Sequence, residues 1–254
     1  MNKPIALLTD FGTRDWFVAS MKGVILAINP AAVIVDVSHE IPPGDIAAAA
    51  FNLLACHASF PHGAVFVAVV DPGVGSGREA LAVKAGGYFF VGPDNGIFSL
   101  ILDKYDEAEV RALRDQRYFR KPVSATFHGR DVFAPVAAHL SRGVAFARLG
   151  PRFAGPLGLS FPPVRAAEKR LRGSVAYIDR FGNAVTTIPS EAARSARRVI
   201  VKGRRIPFAA SYAGVKTGRP VAVVGSCGFV EIAVRDGSAS RMLRLSVGDQ
   251  LSAS

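Results

Sequence analysis

Three polar side chains in the first half of the chain could act together on a water molecule. Asp71 and Arg78 stand at the two ends of a glycine-rich segment, and His128 lies in the segment 127–131. A carboxylate or a neutral imidazole can take a proton from water, whereas a guanidinium stays protonated and can only orient its neighbours or stabilise an anion. If the three side chains converge, they could activate water. If they do not, the segment is a glycine-rich turn, and His128 caps or packs beside a helix.

Other polar residues follow the ends of short apolar runs. Asp10 follows the run Ile5–Thr9, and a further cluster occupies residues 93–96. At the end of a strand, the Asp10 carboxylate could accept hydrogen bonds from ribose hydroxyls, or it could form an Asx turn. In the second half, residues 179–183 and 225–228 combine Asp, Asn or Ser with glycine, so their composition favours turns between strands.

Alternating strands and helices are predicted to position the first group of residues. Apolar runs predict strands at residues 5–9, 33–37, 64–70, 80–84 and 88–91. Helical spacing predicts helices at residues 16–29, 45–59 and 131–140, with Asp45 and Asp131 as N-caps. This order is typical of an α/β domain with a mostly parallel sheet flanked by helices, in which ligands bind beyond the carboxyl ends of the strands.

A second domain with a different sequence pattern is predicted after a linker rich in proline and glycine at residues 150–170. Short β-like runs occupy residues 173–178, 184–188, 198–201, 221–224, 229–234 and 242–245. Such runs, separated by turn residues, predict a small antiparallel β-barrel. We therefore predict an N-terminal α/β domain at residues 1–160 and a C-terminal β-barrel domain at residues 161–254.

The charge of the chain is divided unevenly between these parts. Residues 1–150 carry 14 basic and 14 acidic side chains, whereas residues 151–254 carry 17 basic and 6 acidic ones, so the net charge of +11 belongs to the second part. The basic segments 165–172 and 194–205 could bind nucleic acid. Because aromatic residues are not interleaved with the basic ones, exposed cationic faces are the favoured interpretation, and no nucleic-acid partner is expected.

Composition excludes several classes of protein. The chain has 254 residues, of which 50% are hydrophobic and 20% charged, which excludes a disordered chain. Cys56 and Cys227 are the only cysteines, which excludes a disulfide scaffold, and Cys227 has no histidine in its half of the chain to serve as a base. The histidines lack metal-ligand spacing, so no metal is expected. No leader and no apolar run of about 18 residues is visible, which predicts a cytoplasmic protein without a membrane partner.

Seven motifs follow one another in a fixed order. They occupy residues 9–12, 38–43, 71–78, 92–96, 127–131, 179–183 and 226–229. In these motifs, nearly the whole chain resembles the adenosine-forming S-adenosyl-L-methionine (SAM) hydrolases, also called SAM hydroxide adenosyltransferases, which are related to fluorinase and chlorinase. The resemblance implies an α/β domain followed by a small β-barrel domain. It also implies SAM as substrate, adenosine and methionine as products, no cofactor, and a homotrimer with sites between subunits.

The resemblance assigns roles to the motif residues. Asp71, Arg78 and His128 would position and activate water, Asp10 would hold the ribose hydroxyls, and Asp15 would help to bind the amino group. The other implied substrate contacts are Asp179 and Ser226 on the amino-acid part, Phe181 and Asn183 on the adenine, and the main chain around Arg235 and Gly237 on the adenine edge.

Two positions decide which nucleophile is expected. The fluorinase pattern has a tyrosine in place of Asp71 and a halide-binding serine in place of Gly129. Because an anionic Asp71 repels halide, water is the predicted nucleophile at the ribose 5′ carbon. Gly44 departs from the family, which has an aromatic residue there, so one wall of the ribose pocket is either missing or supplied by Trp16. Halogenase-type substitution and non-catalytic binding of SAM are the alternatives.

Overall fold

The computed structural model of the protein describes residues 3–160, 164–167 and 170–254. Contacts within the chain divide it into two compact units, Met1–Leu159 and Ser160–Ser254. Each unit has its own hydrophobic core, so each is built as a separate domain.

The first unit is an α/β domain with a mixed sheet. Its strands are β1 Ile5–Thr9, β2 Ile34–Ser38, β3 Val65–Val69, β4 Ala80–Ala85, β5 Tyr88–Pro93 and β6 Glu109–Ala112. Its α-helices are α1 Phe17–Ile28, α2 Ile46–Cys56, α3 Ser99–Lys104 and α4 Ala134–Ser141. The strand order is β2-β1-β3-β5-β4-β6. Strands β2, β1, β3 and β5 run parallel, whereas β4 pairs antiparallel with both β5 and β6. The predicted mostly parallel sheet flanked by helices is confirmed.

Continuous apolar runs form the central strands because helices cover the sheet. Every residue of β1 and β3 is buried, and Met21 and Ile25 of α1 belong to the same core cluster as Ile5 and Val67. Helix α2 begins where the sequence predicts, since Asp45 Oδ1 accepts a hydrogen bond from the Ala48 amide at 2.9 Å. Parallel strands buried on both faces place their polar residues at the strand ends, where the loops carry the candidate site.

The predicted helix at residues 131–140 begins differently from the prediction. Gly129–Phe133 form a single π-helical turn, and α4 follows directly at Ala134–Ser141. Asp131 lies inside this turn, fully buried, and forms ion pairs with Arg120 and Arg130. The prediction that Asp131 is an N-cap was therefore wrong, because two guanidinium groups, not the helix amides, bind its carboxylate.

The second unit is a nearly closed antiparallel barrel, as predicted. Its strands are β7 Arg165–Ala167, β8 Arg170–Ile178, β9 Ala184–Pro189, β10 Arg198–Val201, β11 Arg204–Pro207, β12 Pro220–Val224, β13 Phe229–Val234 and β14 Gln250–Ala253, and its α-helix is α5 Ala239–Leu243. The strand order is β11-β10-β14-β8-β9-β13-β12, and β7 pairs with β8. A bridge between Phe208 and Ala222 joins the two ends of this order, so the sheet curls back on itself.

Two predictions for the second unit were wrong. The β-like run 242–245 is not a strand, because Ser238 caps α5 by accepting a hydrogen bond from the Arg241 amide at 3.2 Å. Arg244 then ends the helix in a left-handed conformation. The predicted linker 150–170 is also too long, since β7 and the start of β8 already belong to the barrel sheet. Residues 161–163 and 168–169 of that linker lie outside the described residues.

Candidate active site

Asp71, Arg78 and His128 lie together in the first unit. The Arg78 side chain binds both oxygens of Asp71, through Nε to Oδ1 at 2.8 Å and through Nη2 to Oδ2. The same Nη2 lies 2.9 Å from Nδ1 of His128. The side chains of Asp71 and Arg78 are only 5% and 9% exposed, so the pair is held away from bulk water. The structure therefore brings together the three side chains that the sequence singled out.

A tight loop between β3 and β4 makes this geometry possible. Gly75 has a φ of +77°, and a Cβ there would collide with the carbonyl oxygen of Ala125. Ser76 Oγ donates to the Gly73 carbonyl at 2.7 Å and accepts from the Arg78 amide at 3.3 Å. The glycine thus lets the loop pack against the segment that leads into His128.

The hydrogen bond from Arg78 fixes the protonation state of His128. A guanidinium can only donate, so Nδ1 of His128 must accept, and the ring proton is then on Nε2. Burial lowers the pKa of His128, the positive charge of Arg78 lowers it further, and Asp71 and Asp131 oppose this. His128 is therefore neutral near pH 7.

A cleft of about 360 Å³ borders this cluster and is lined by Asp10, Phe11, Phe17, Gly44, Asp71 and Pro72. Asp10 Oδ2 accepts a hydrogen bond from the Gly44 amide at 2.9 Å, so this carboxylate is held at the cleft by the loop that contains the unusual glycine. The aromatic lining comes from Phe11 and Phe17. Trp16 is 57% exposed and does not line the cleft itself. It stacks on Phe17, which does, with ring centroids 4.4 Å apart.

Two other polar positions of the first unit do not join this cleft. Asp15 is exposed and is not among the residues that line it. In the cluster 93–96, Asn95 Nδ2 donates to the Val70 carbonyl at 2.8 Å, and Asp94 Oδ1 accepts from the Leu157 amide at 2.8 Å. Burial raises the pKa of Asp94. These side chains connect loops to one another, and their role is structural.

A second cleft, of about 1020 Å³, lies in the barrel unit. Its lining includes every residue predicted for this half of the chain: Asp179, Phe181, Asn183, Ser226, Arg235 and Gly237. The order of motifs in the sequence could not show that these residues share one surface. The barrel brings them together along β13: the loop after β12 lies at the start of this strand, and the loop after β8 lies near its end.

The hydrogen bonds of Asp179 are directed mainly to its own loop. Its Oδ1 accepts from the amides of Phe181 at 2.9 Å and Asn183 at 2.8 Å, and its Oδ2 accepts from Asn183 Nδ2 at 3.0 Å. This is the turn chemistry that the composition of the segment predicts. The turn leaves the Phe181 ring 75% exposed while Asn183 is buried.

Sequence reasoning missed two residues of the second cleft, Tyr212 and Glu231. The Tyr212 hydroxyl donates to Glu231 Oε1 at 2.7 Å, and burial raises the pKa of Glu231. A carboxylate inside the otherwise apolar strand β13 is the signal that could have revealed it. Arg235 also binds the loop that carries Tyr212, since its Nη1 donates to the Val215 carbonyl at 2.9 Å.

Neither a metal centre nor a membrane span is found in the parts of the chain that the structure describes. Within residues 3–160, 164–167 and 170–254, no group of three or more His, Cys, Asp or Glu side chains could hold a metal ion. Over the same ranges, no helix has both the length and the apolar character needed to cross a membrane.

Fold and site together define a class of protein. It has an α/β unit whose carboxylate–guanidinium–imidazole cluster borders a cleft, and a β-barrel unit with a polar cleft of its own. Two family models match in the same order: the SAM hydroxide adenosyltransferase N-terminal domain at residues 5–150 and the C-terminal domain at residues 173–252. The chain belongs to the SAM hydroxide adenosyltransferase family.

Individual relatives agree with this assignment. The chain is 41% identical to the (R)-S-adenosyl-L-methionine hydrolase of Thermus thermophilus, over 97% of each chain. A solved structure of an uncharacterised conserved protein from Thermotoga maritima superposes with a TM-score of 0.93 at 36% identity, covering 98% of this chain and 99% of that one. The fluorinase of an Actinoplanes species is more distant, at 27% identity over 74% of this chain and 72% of its own.

Proposed function

We propose that the protein is an enzyme that hydrolyses S-adenosyl-L-methionine to adenosine and L-methionine. The observation that carries this proposal is the Asp71–Arg78–His128 cluster, whose ion pair is shielded from solvent, at the edge of a cleft that also contains Asp10. Full-length relatives named (R)-S-adenosyl-L-methionine hydrolase support the choice of substrate.

In the proposed reaction, a water oxygen attacks the ribose 5′ carbon in line with the bond from that carbon to sulfur. The new carbon–oxygen bond forms as the carbon–sulfur bond breaks, and methionine leaves with the electron pair as a neutral thioether. The sulfonium is a good leaving group, so no general acid is required. One proton is released from the water, and Asp71 is the group proposed to accept it.

The hydrogen bonds of the cluster support Asp71 over His128 as the proton acceptor. Nδ1 of His128 already accepts from Arg78, and its Nε2 carries the ring proton. Each carboxylate oxygen of Asp71 has a second lone pair beyond its bond to Arg78, so it can also accept from water. Arg78 holds the carboxylate and stabilises developing hydroxide. Fixing the water in line could lower the barrier by about 7–11 kcal/mol at the limit of well-oriented reactants.

The proposed substrate contacts follow the two clefts. Asp10 would bind the ribose hydroxyls in the first cleft, with Asp15 helping at the amino group. In the second cleft, Asp179 and Ser226 would face the amino-acid part. Phe181, Asn183 and the main chain around Arg235 and Gly237 would face the adenine. A homotrimer with sites between subunits and a location in the cytoplasm complete the proposal. Both cysteines are free, as is common in a reducing compartment.

The first test identifies the nucleoside product and the origin of its oxygen. Purified protein is incubated with SAM in ¹⁸O-labelled water, alone and with added chloride or fluoride. We expect adenosine and methionine in equal amounts, with the label in the 5′ hydroxyl whatever the halide. A 5′-halogenated nucleoside would show a halogenase instead, and stoichiometric binding without methionine over hours would show a SAM-binding protein.

The second test removes the proposed proton acceptor. Asp71→Ala should lower the turnover number by roughly 10²–10⁴-fold, the usual contribution of a positioned acid or base. The matched control is Asp103→Ala, which removes an exposed carboxylate from α3 and should leave turnover unchanged. Adenosine release by Asp71→Ala at the rate of the unmodified protein would refute the proposed role.

A further inference from the structure

Glu231 is a buried carboxylate that the proposed reaction does not use. Its neighbours Val230 and Ile232 point into the barrel core, so Glu231 points to the outer face of β13. An outward charged residue is normally exposed, but Glu231 is only 7% exposed. Tyr212, from the loop before β12, lies against it. The side chain is therefore kept between the barrel and a loop, facing the second cleft.

The two oxygens of this carboxyl group are in different states. Oε1 accepts the hydrogen bond from the Tyr212 hydroxyl at 2.7 Å. That bond raises the pKa of Tyr212 to about 12, so the hydroxyl keeps its proton and remains a donor. Oε2 accepts no hydrogen bond from any residue in the described ranges of the chain. Tyr212 thus fixes the orientation of the carboxyl group and leaves one oxygen available to a ligand.

The available oxygen lies at the end of the cleft next to the loop that carries Ser226. A Cβ on Gly225, the residue before Ser226, would be 3.3 Å from Oε2. Burial raises the pKa of Glu231 most, and the nearby negative charge of Asp179 raises it further. Because Oε2 opens into the cleft and a second carboxylate lies nearby, this position favours a cationic donor from a ligand.

We propose that Glu231 Oε2 binds the α-ammonium group of the amino-acid part of the substrate, with Tyr212 as a positioning residue. An ammonium group offers three N–H donors and the charge that this end of the cleft lacks. Asp179 is less available, since it already accepts three hydrogen bonds from its own loop. The inference rests on the proposed function and adds a residue that selects for the amino-acid part of the substrate.

A purely structural role makes a different prediction. If Glu231 only held the Tyr212 loop, its loss would affect every ligand of the cleft alike. If it binds the ammonium group, its loss affects only ligands that carry this group. SAM and 5′-methylthioadenosine form a suitable pair, because the second compound retains the adenosine and a thioether but has no amino acid.

The experiment measures kcat and KM for SAM together with the inhibition constant of 5′-methylthioadenosine. The full-length protein and the Glu231→Gln and Tyr212→Phe variants are compared. We expect Glu231→Gln to raise KM roughly ten- to a hundredfold, the range of a charge-assisted hydrogen bond, with little change in the inhibition constant. Tyr212→Phe keeps the carboxylate and should raise KM by less. Glu191→Gln, which alters an 87% exposed side chain, is the matched control and should change neither constant.

The outcomes separate this inference from the proposed function. If the unmodified protein does not release adenosine from SAM, the proposed function fails and this inference fails with it. If it does, but Glu231→Gln changes KM and the inhibition constant by the same factor, only the inference is overturned. An unchanged KM in Glu231→Gln overturns it as well.

Discussion

A single donor-only side chain organises the cluster in the first unit. Arg78 binds both oxygens of Asp71 and one nitrogen of His128, so it sets the orientation of two groups that can exchange protons. Because Arg78 donates to the Nδ1 lone pair, His128 is held in the neutral form with a proton on Nε2. In this arrangement His128 can donate a hydrogen bond to a ligand or a water, while Asp71 can accept one.

This arrangement predicts how His128 titrates. Its pKa should lie below the ordinary value of 6.5, first because the ring is buried and then because Arg78 is positive. Since the folded pKa is the lower one, stability is complete above about pH 6.5 and decreases as the pH falls through the folded pKa. Titration of the histidine ring resonances by NMR, with His128→Asn to assign the signal, measures this value.

A second variant tests the cause of the shift. Arg78→Ala removes the positive charge but leaves Asp71, so the pKa of His128 should rise. A value at or above 6.5 in the unmodified protein, or no change in Arg78→Ala, would contradict the proposed hydrogen bond from Arg78 to Nδ1.

At this scale, residue type was enough to find the first cluster but not to find Glu231. Asp71 and His128 are residue types that can take up a proton, Arg78 is a type that can hold a carboxylate, and glycines lie close to all three in the sequence, which is a strong local signal. The partner of Glu231 is Tyr212, 19 residues away on a loop with no distinctive composition. Only the folding of that loop over β13 brings the two side chains together.

At the scale of elements, the π-helical turn before α4 connects the candidate site to the rest of its unit. Asp131 in this turn accepts from Arg130 Nε at 2.7 Å, from Arg120 at 3.0 Å and from the Ser124 amide at 2.9 Å. Burial alone would raise the pKa of Asp131, but these three partners hold it below its ordinary value. This turn begins immediately after His128, so its ion pairs also hold in place the part of the chain that carries the imidazole.

Replacing this carboxylate should be costly. Asp131→Asn should lower the free energy of unfolding by about 2 kcal/mol, because it removes the buried charge that accepts hydrogen bonds from two partly exposed guanidinium groups. Urea unfolding measures the change, and Asp103→Asn, at an exposed position, should have almost no effect. A loss for Asp131→Asn as small as that of the control would mean that the ion pairs contribute little to stability.

Elements built on an apolar run were predictable, whereas α5, which has no such run, was not. β3 is apolar throughout and β1 is apolar up to Thr9, so burial on both faces could be inferred from the sequence. The run 242–245 is interrupted by Arg244, and its first two residues belong to the helix Ala239–Leu243, which begins after the N-cap Ser238 and ends at Arg244. The residues between these caps include good helix formers, so capping and helix preference act together there.

For the whole molecule, the uneven charge is a property of exposed faces. In the basic segment 194–205, Arg194 lies 3.9 Å from Glu191, and Lys202 pairs with Asp249 at 2.7 Å. The segment contains no aromatic residue on which a base could stack. Part of the positive charge is therefore matched by nearby carboxylates within the barrel unit.

We accordingly expect no specific complex with nucleic acid. Fluorescence anisotropy with labelled duplex DNA and single-stranded RNA, at about 50 and 200 mM salt, should show at most weak binding that disappears at the higher concentration. A tight complex that survives physiological salt would show that the basic face has a function of its own.

The loop from Asp71 to Arg78 has a consequence for how this architecture can change. It contains both partners of the central ion pair, and it joins β3 to β4, whose ends lie on either side of β5 in the sheet. Substitutions at these few positions would change which nucleophile the site favours and leave the strands on either side of the loop unchanged. The scaffold is thus open to diversification of its chemistry by substitutions confined to a single connection.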